Sequence, residues 1–257
     1  MFGFYDTYLK FFGLSVSYYG IIVTIAMLCA ILLACKICVL RGLKTEDILL
    51  LACYVIPISI VGARLYYVAF SGRSYSFLEI LQVWNGGLAV YGGVIGGTLA
   101  IILYCLIHKK NFLNVTDIAV VCLILGQAIG RIACYFGHCC YGIEVTNESM
   151  QWFPLSVFVH GAWHYSTFFY ESICNFIIFA ILLFLMKKKV STIGVLSSLY
   201  LICYGTIRCL IETIRGDSLY IGIFKVSQLL SAMIVIAGIV MLIVIYALKS
   251  KKDKQKT

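Results

Sequence analysis

The sequence predicts an all-α integral membrane protein of about seven transmembrane helices, N-terminus outside and C-terminus cytoplasmic. Three observations predict this class: the composition, the number of long apolar runs, and the side on which basic residues fall. Of 257 residues, 62% are apolar and only 12% charged, with a mean hydropathy of +1.01. That leaves too little polar surface to cover the core of a water-soluble domain. The net charge of +9 could suggest nucleic acid, but the lysines cluster between apolar runs and at the tail. This is a pattern of membrane topology, and no nucleic-acid partner is expected.

Seven runs are long enough to cross roughly 30 Å of hydrocarbon: 16–40, 48–70, 86–107, 115–136, 167–186, 191–213 and 224–248. The first begins near Leu14, after a stretch with one lysine and no basic n-region. It is long enough to span, so it reads as a retained helix rather than a cleaved signal. No period of 20 to 50 residues repeats, which excludes a solenoid.

The loops set the orientation. One set carries Arg41 and Lys44, then Lys109 and Lys110, then Lys187, Lys188 and Lys189, then Lys249, Lys251, Lys252, Lys254 and Lys256. The alternate set carries only Lys10, Arg73, Arg215 and Lys225. Twelve against four, in phase with seven spans, puts the first set in the cytoplasm. The chain thus reads as one polytopic membrane domain over 1–257, with an outer-face loop at 137–166 and a basic cytoplasmic tail at 249–257. Trp152, Phe153, Phe158 and Trp163 in that loop suit either an interfacial anchor or a substrate lid.

Arg64, Arg131, Arg208 and Glu212 fall inside apolar runs. A charged group at bilayer centre costs about 2.5–3.5 kcal/mol on insertion scales, so these should face a polar interior or lie near a span end. The expected topology puts them, with Arg215, toward the outer ends of spans two, four and six. In YGTIRCLIETIRGD, Arg208 and Glu212 are four apart and Glu212 and Arg215 three apart, so they share a helical face. A buried ion-pair ladder is one reading. A guanidinium site for a phosphate is the preferred one, because arginine makes planar bidentate contacts that lysine cannot.

WNGGLAVYGGVIGG, residues 84–97, opens span three with three Gly-Gly pairs around Tyr91. Such glycines permit irregular backbone lining a cavity, or close helix approach. GQAIGRIACYFGHCCYG, residues 126–142, carries Arg131 and then His138, Cys139 and Cys140. Adjacent cysteines lack the usual C-x₂₋₄-C spacing of zinc sites, so no metal is expected. A disulfide among Cys134, Cys139 and Cys140 is open on an oxidising side. Most of the twelve cysteines, such as Cys29, Cys53, Cys105, Cys122, Cys174 and Cys203, lie inside apolar runs as small hydrophobes.

Six segments, in order along nearly the whole chain, resemble the bacterial prolipoprotein diacylglyceryl transferase family. They are the opening helix with Tyr19 and Gly20, GARLYYVAF around Arg64, the glycine segment of span three, GRIACYFGHCCYG, FYESICNF with Tyr170 and Glu171, and the Arg-x₃-Glu-x₂-Arg of span six. The resemblance implies transfer of the diacylglyceryl group of phosphatidylglycerol to the lipobox cysteine thiol in a prolipoprotein signal peptide, among the lipids of the bacterial cytoplasmic membrane. It implies no metal and no soluble cofactor. The chain departs from the family at three places. Tyr91 stands where members have a histidine, and Cys134 and Cys139 stand where members have an asparagine and a carboxylate. A phenol, ionising near about pH 10, is a poor resting base unless shifted.

The expected catalytic residues are therefore Tyr91, Arg131, Arg208 and Glu212. Phosphatidylglycerol is expected to contact Arg131, Arg208, Arg215, Tyr19, Gly92, Gly93 and Gly142, while Arg64 is expected to be structural. Two alternatives stay open: a diverged relative with another acceptor, or a phospholipid-binding or transport protein without catalysis.

Overall fold

The computed structural model describes residues 8–11, 14–83, 86–137, 139–159, 161–188, 192–216, 220–221 and 224–254. Trp84, His138, Lys189 and Lys256 lie outside the described residues. After a short hairpin, β1 (Tyr8–Phe11) and β2 (Leu14–Ser17), come α1 (Tyr18–Ile37), α2 (Thr45–Phe70), α3 (Phe77–Leu81), α4 (Val90–Ile107) and α5 (Phe112–Phe136). A second hairpin, β3 (Ser156–Val159) and β4 (Ala162–Tyr165), precedes α6 (Thr167–Lys187) and α7 (Val195–Thr213). A last hairpin, β5 (Tyr220–Ile221) and β6 (Phe224–Lys225), leads into α8 (Val226–Lys254). Seven of these helices, all but α3, are long and apolar enough to cross a membrane. The protein is an all-α integral membrane protein, with the three hairpins and α3 as short additions.

The chain divides into two compact units, residues 34–118 and residues 1–33 with 119–257. In the first, α2 and α4 touch backbone to backbone. A Cβ on Gly62 would lie 2.6 Å from the Gly92 oxygen, and one on Gly96 would lie 2.6 Å from the Ile58 oxygen. Both readings of the glycine segment hold, at different positions. Gly86 and Gly87 have positive φ (81° and 70°) and break the backbone ahead of α4, while Gly92 and Gly96 allow the close approach. This break is why α4 starts at Val90 rather than at residue 86.

Arg64 on α2 is 6% exposed and serves as a staple. Its guanidinium donates to the carbonyls of Glu79 (2.6 Å), Ile80 (3.1 Å), Gly86 (2.7 Å) and Gly87 (3.1 Å), as its structural assignment predicts. Asp117, which the sequence reading passed over, is fully buried near the N-terminal end of α5 and pairs with Arg41 at 2.9 Å. Not every intramembrane charge therefore belongs with the arginines of spans two, four and six.

The packing of α2 on α4 gives a first testable outcome. Gly62→Val should lower stability by about 1–3 kcal/mol through overpacking, read as an earlier thermal transition in detergent. Gly93→Ala should leave it unchanged, because its Cβ would meet Ala63 at an ordinary 3.7 Å.

Candidate active site

In the second unit, an ion-pair cluster joins three helices. Glu171, in the first turns of α6, sits 3% exposed between two arginines: Arg131 of α5 at 2.6 Å and Arg208 of α7 at 3.1 Å. Each arginine takes a different carboxylate oxygen. The other terminal nitrogen of Arg208 reaches Glu212 at 3.3 Å, one turn on, and Arg215 approaches the same Glu212 oxygen at 3.9 Å. The ladder expected from helical spacing is present, and Glu171 extends it to Arg131.

The depth of these groups decides their chemistry. The two carboxylates are 3% and 1% exposed, whereas the arginine side chains are 20% (Arg131), 17% (Arg208) and 13% (Arg215) exposed. Anions lie beneath and cations lie outward, and three guanidinium groups against two carboxylates leave one positive charge. A site of this form suits an anion that accepts several directed hydrogen bonds. Lys225 adds to it: its Nζ donates to the carbonyls of Glu212 (2.6 Å) and Arg215 (3.3 Å), satisfying the end of α7. On α6, one turn after Glu171, Asn175 is fully buried, and its amide atoms have no hydrogen-bond partner among the described residues.

The segment from 137 to 166 is built rather than loose. Gly142 forms a bridge with Arg215, and its N–H donates to the Tyr165 carbonyl at 2.9 Å. A Cβ on Gly142 would come within 2.7 Å of Tyr165 Cβ and 2.8 Å of the Ile214 oxygen. This glycine therefore lets the segment close on the end of α7, and it acts through packing. The bridge brings Cys140 to the arginines, with Sγ 3.2 Å from Arg215 Nη2 and 3.7 Å from Arg131 Nη1. Cys140 has a positive φ of 63°, uncommon for a residue with a side chain. Thr167 Oγ1 at the start of α6 donates to its carbonyl at 2.6 Å.

Cys134, Cys139 and Cys140 converge, and their sulfurs all lie within 4.8 Å of one another. None of the three is in a disulfide. The Cys140 thiol is pulled well below the ordinary thiol range, first by hydrogen bonds from Cys134 and Cys139, then by the charges of Arg215 and Arg131. Tyr19 on α1 stands beside this turn, since a Cβ on Gly137 would lie 2.9 Å from its ring. Trp152, Phe153 and Phe158 are about half exposed, as membrane-interface aromatics are.

Arg131, Arg208, Glu212, Arg215, Gly142 and Tyr19 thus fall within one unit. Tyr91, Gly92 and Gly93 belong to the other. There Tyr91 is 41% exposed at the start of α4, 6.3 Å from the Tyr66 ring, and Gly92 packs on α2. The centre of the cluster, Glu171, was quoted in a resembling segment but given no role. A carboxylate inside an apolar run was the available signal.

Comparison with known proteins covers nearly the whole chain. A family model described as prolipoprotein diacylglyceryl transferase matches residues 7–244. A phosphatidylglycerol–prolipoprotein diacylglyceryl transferase of Finegoldia magna is 36% identical over 232 residues, covering 90% of this chain and 91% of the relative. Proteins of the same name from Clostridium botulinum and Streptococcus agalactiae are each 37% identical, covering 88% and 89% of this chain and 91% of each relative. With a match that runs from the first hairpin into the last helix and takes in every residue of the arginine cluster, the chain belongs to the prolipoprotein diacylglyceryl transferase family.

Proposed function

We propose that this protein transfers the diacylglyceryl group of phosphatidylglycerol to the lipobox cysteine thiol of prolipoproteins, the first step of lipoprotein maturation. The observation that carries the reading is the cationic outer layer of the cluster, with Arg131, Arg208 and Arg215 lying over the buried Glu171 and Glu212. Phosphatidylglycerol presents a phosphodiester charge, which the positive excess of the cluster attracts. Arg131 and Arg208 hold that phosphate, Arg215 meets it at the entrance, and Glu171 and Glu212 orient the three. In the reaction the acceptor sulfur forms a bond to the glyceryl carbon while the carbon–oxygen bond to phosphate breaks. Charge grows on the departing glycerol phosphate, where fixed guanidinium donors stabilise it most.

The alternation of basic loops supports an orientation with the N-terminus outside and the tail in the cytoplasm. The chemistry then lies at the outer face of the bacterial cytoplasmic membrane, within reach of exported signal peptides. The test is direct. Purified protein given phosphatidylglycerol and a reduced lipobox peptide should yield a thioether-linked diacylglyceryl peptide by mass spectrometry, and the gene should rescue a host lacking its transferase. Binding of phosphatidylglycerol with no product from any lipobox peptide would instead make the site a headgroup receptor.

A further inference from the structure

The three cysteines of the 134–140 turn are given no part in holding the phosphate, yet the backbone is shaped to gather them. Adjacent residues in extended backbone point to opposite sides, so a Cys139–Cys140 pair does not ordinarily present both thiols to one place. Here the left-handed backbone of Cys140, φ 63°, breaks that alternation, and Thr167 holds its carbonyl. The Cys139 N–H donates to the Cys134 carbonyl at 3.2 Å, closing the turn on the end of α5. Cys140 Sγ is where four donors meet: the guanidinium groups of Arg215 and Arg131, at 3.2 and 3.7 Å, and the thiols of Cys134 and Cys139. Such donors stabilise a thiolate, the form of cysteine that reacts. Cys134 is buried while Cys140 is partly open, so one reactive sulfur is reachable and a second waits behind it within 4.8 Å.

We propose that Cys140 and Cys134 form a peroxide-sensitive pair, in which a hydroperoxide oxidises Cys140 and Cys134 then closes a reversible disulfide with it. An accessible thiolate beside a resolving thiol is the arrangement of a redox-sensing cysteine. Covalent geometry chooses the partner. Neighbouring Cα atoms are about 3.8 Å apart, short of the roughly 4.4–6.8 Å of ordinary disulfides, which sets Cys139 aside. Cys134 lies across the turn and is free of that limit.

The electrons balance in two steps. The Cys140 thiolate attacks one oxygen of the hydroperoxide, forming a sulfur–oxygen bond. The oxygen–oxygen bond breaks, and the departing oxygen leaves with the electron pair and takes up a proton. The Cys134 sulfur then attacks the Cys140 sulfenic acid, forming the disulfide and releasing water with the Cys134 proton. Two thiols lose two electrons and one peroxide gains them. The donors that favour the Cys140 thiolate also make this disulfide labile, so a small thiol returns it to the reduced pair.

The consequence for the lipid site rests on the transferase reading. With Lys225 counted beside Arg131, Arg208 and Arg215, four cations among the described residues stand against Glu171 and Glu212. A Cys140 thiolate therefore leaves a positive excess for the phosphodiester, but it competes with that phosphodiester for Arg215 and Arg131. Oxidation withdraws the competing anion, so the oxidised protein binds the lipid more tightly than the reduced one.

The test uses the whole protein in detergent, first reduced, then treated with hydrogen peroxide and digested in acid for mass spectrometry. A Cys134–Cys140 bridge should form, and dithiothreitol should remove it. Cys134→Ala should stop at a sulfenic acid on Cys140, trapped by dimedone, while Cys140→Ala should give neither product. Cys53→Ala, on α2, should behave as wild type. Binding of phosphatidylglycerol, measured without peptide so that no acceptor thiol is present, should tighten several-fold when the wild type is oxidised. In Cys140→Ala it should not respond to peroxide. A Cys140 left unmodified by peroxide, or bridged to Cys139, would overturn the inference whatever the transfer assay gives. A bridge with unchanged lipid binding would overturn its link to the lipid site. A bridge with tighter lipid binding, in a protein that moves no diacylglyceryl group, would overturn the transferase reading and keep the redox pair.

Discussion

Glu171→Ala should abolish diacylglyceryl transfer and also make the protein markedly less stable. The carboxylate is almost fully buried and holds Arg131 on one oxygen and Arg208 on the other. Truncating it leaves two partly buried guanidinium groups without their shared counter-charge. Breaking a buried pair in this way costs about 3–5 kcal/mol, a large share of the stability of an ordinary domain. Glu171→Gln keeps the shape and one acceptor but removes the charge, so it should fall between wild type and Glu171→Ala in thermal transition. Both variants are to be followed by thermal unfolding in detergent beside the peptide transfer assay. A Glu171→Ala protein with wild-type melting and wild-type rate would remove Glu171 from the centre of the site.

Arg208→Lys should lower transfer by about 10²–10³-fold while leaving the fold largely intact, the range seen when one fixed donor to a developing oxyanion is lost. The charge survives this change but the fork does not. Arg208 reaches Glu171 with one terminal nitrogen and Glu212 with the other, and a lysine ammonium is a point charge that cannot bridge both. The loss should appear in the rate at saturating phosphatidylglycerol as well as in KM, because the arginine is assigned to the departing phosphate. An effect confined to KM would leave Arg208 with headgroup binding alone.

Much of this was legible in the sequence, for identifiable reasons. The spans were legible because a bilayer demands long apolar runs. The expected 48–70 and 167–186 became Thr45–Phe70 and Thr167–Lys187. Arg208, Glu212 and Arg215 were legible as a group because helical spacing alone puts them on one face. Glu171 and Asp117 were harder to read, since each is a single carboxylate at one end of an apolar run. Only the meeting of α6 with α5 and α7 makes Glu171 central, and only Arg41 explains Asp117. The hairpins were hidden because strands of two to four residues give too short a period to see. Cys134, Cys139 and Cys140 were legible as a group, but that they converge as free thiols depends on the turn that the positive φ of Cys140 makes.

Arg64 carries a consequence for how the protein is made. Its four carbonyl partners lie fifteen to twenty-three residues further along the chain, so they leave the ribosome after it does. Until they arrive, the second span presents an unsatisfied guanidinium to the lipid, at a cost of about 2.5–3.5 kcal/mol if it sits at the bilayer centre. The second span should therefore pack in its final form only once the glycine segment that follows it has been made.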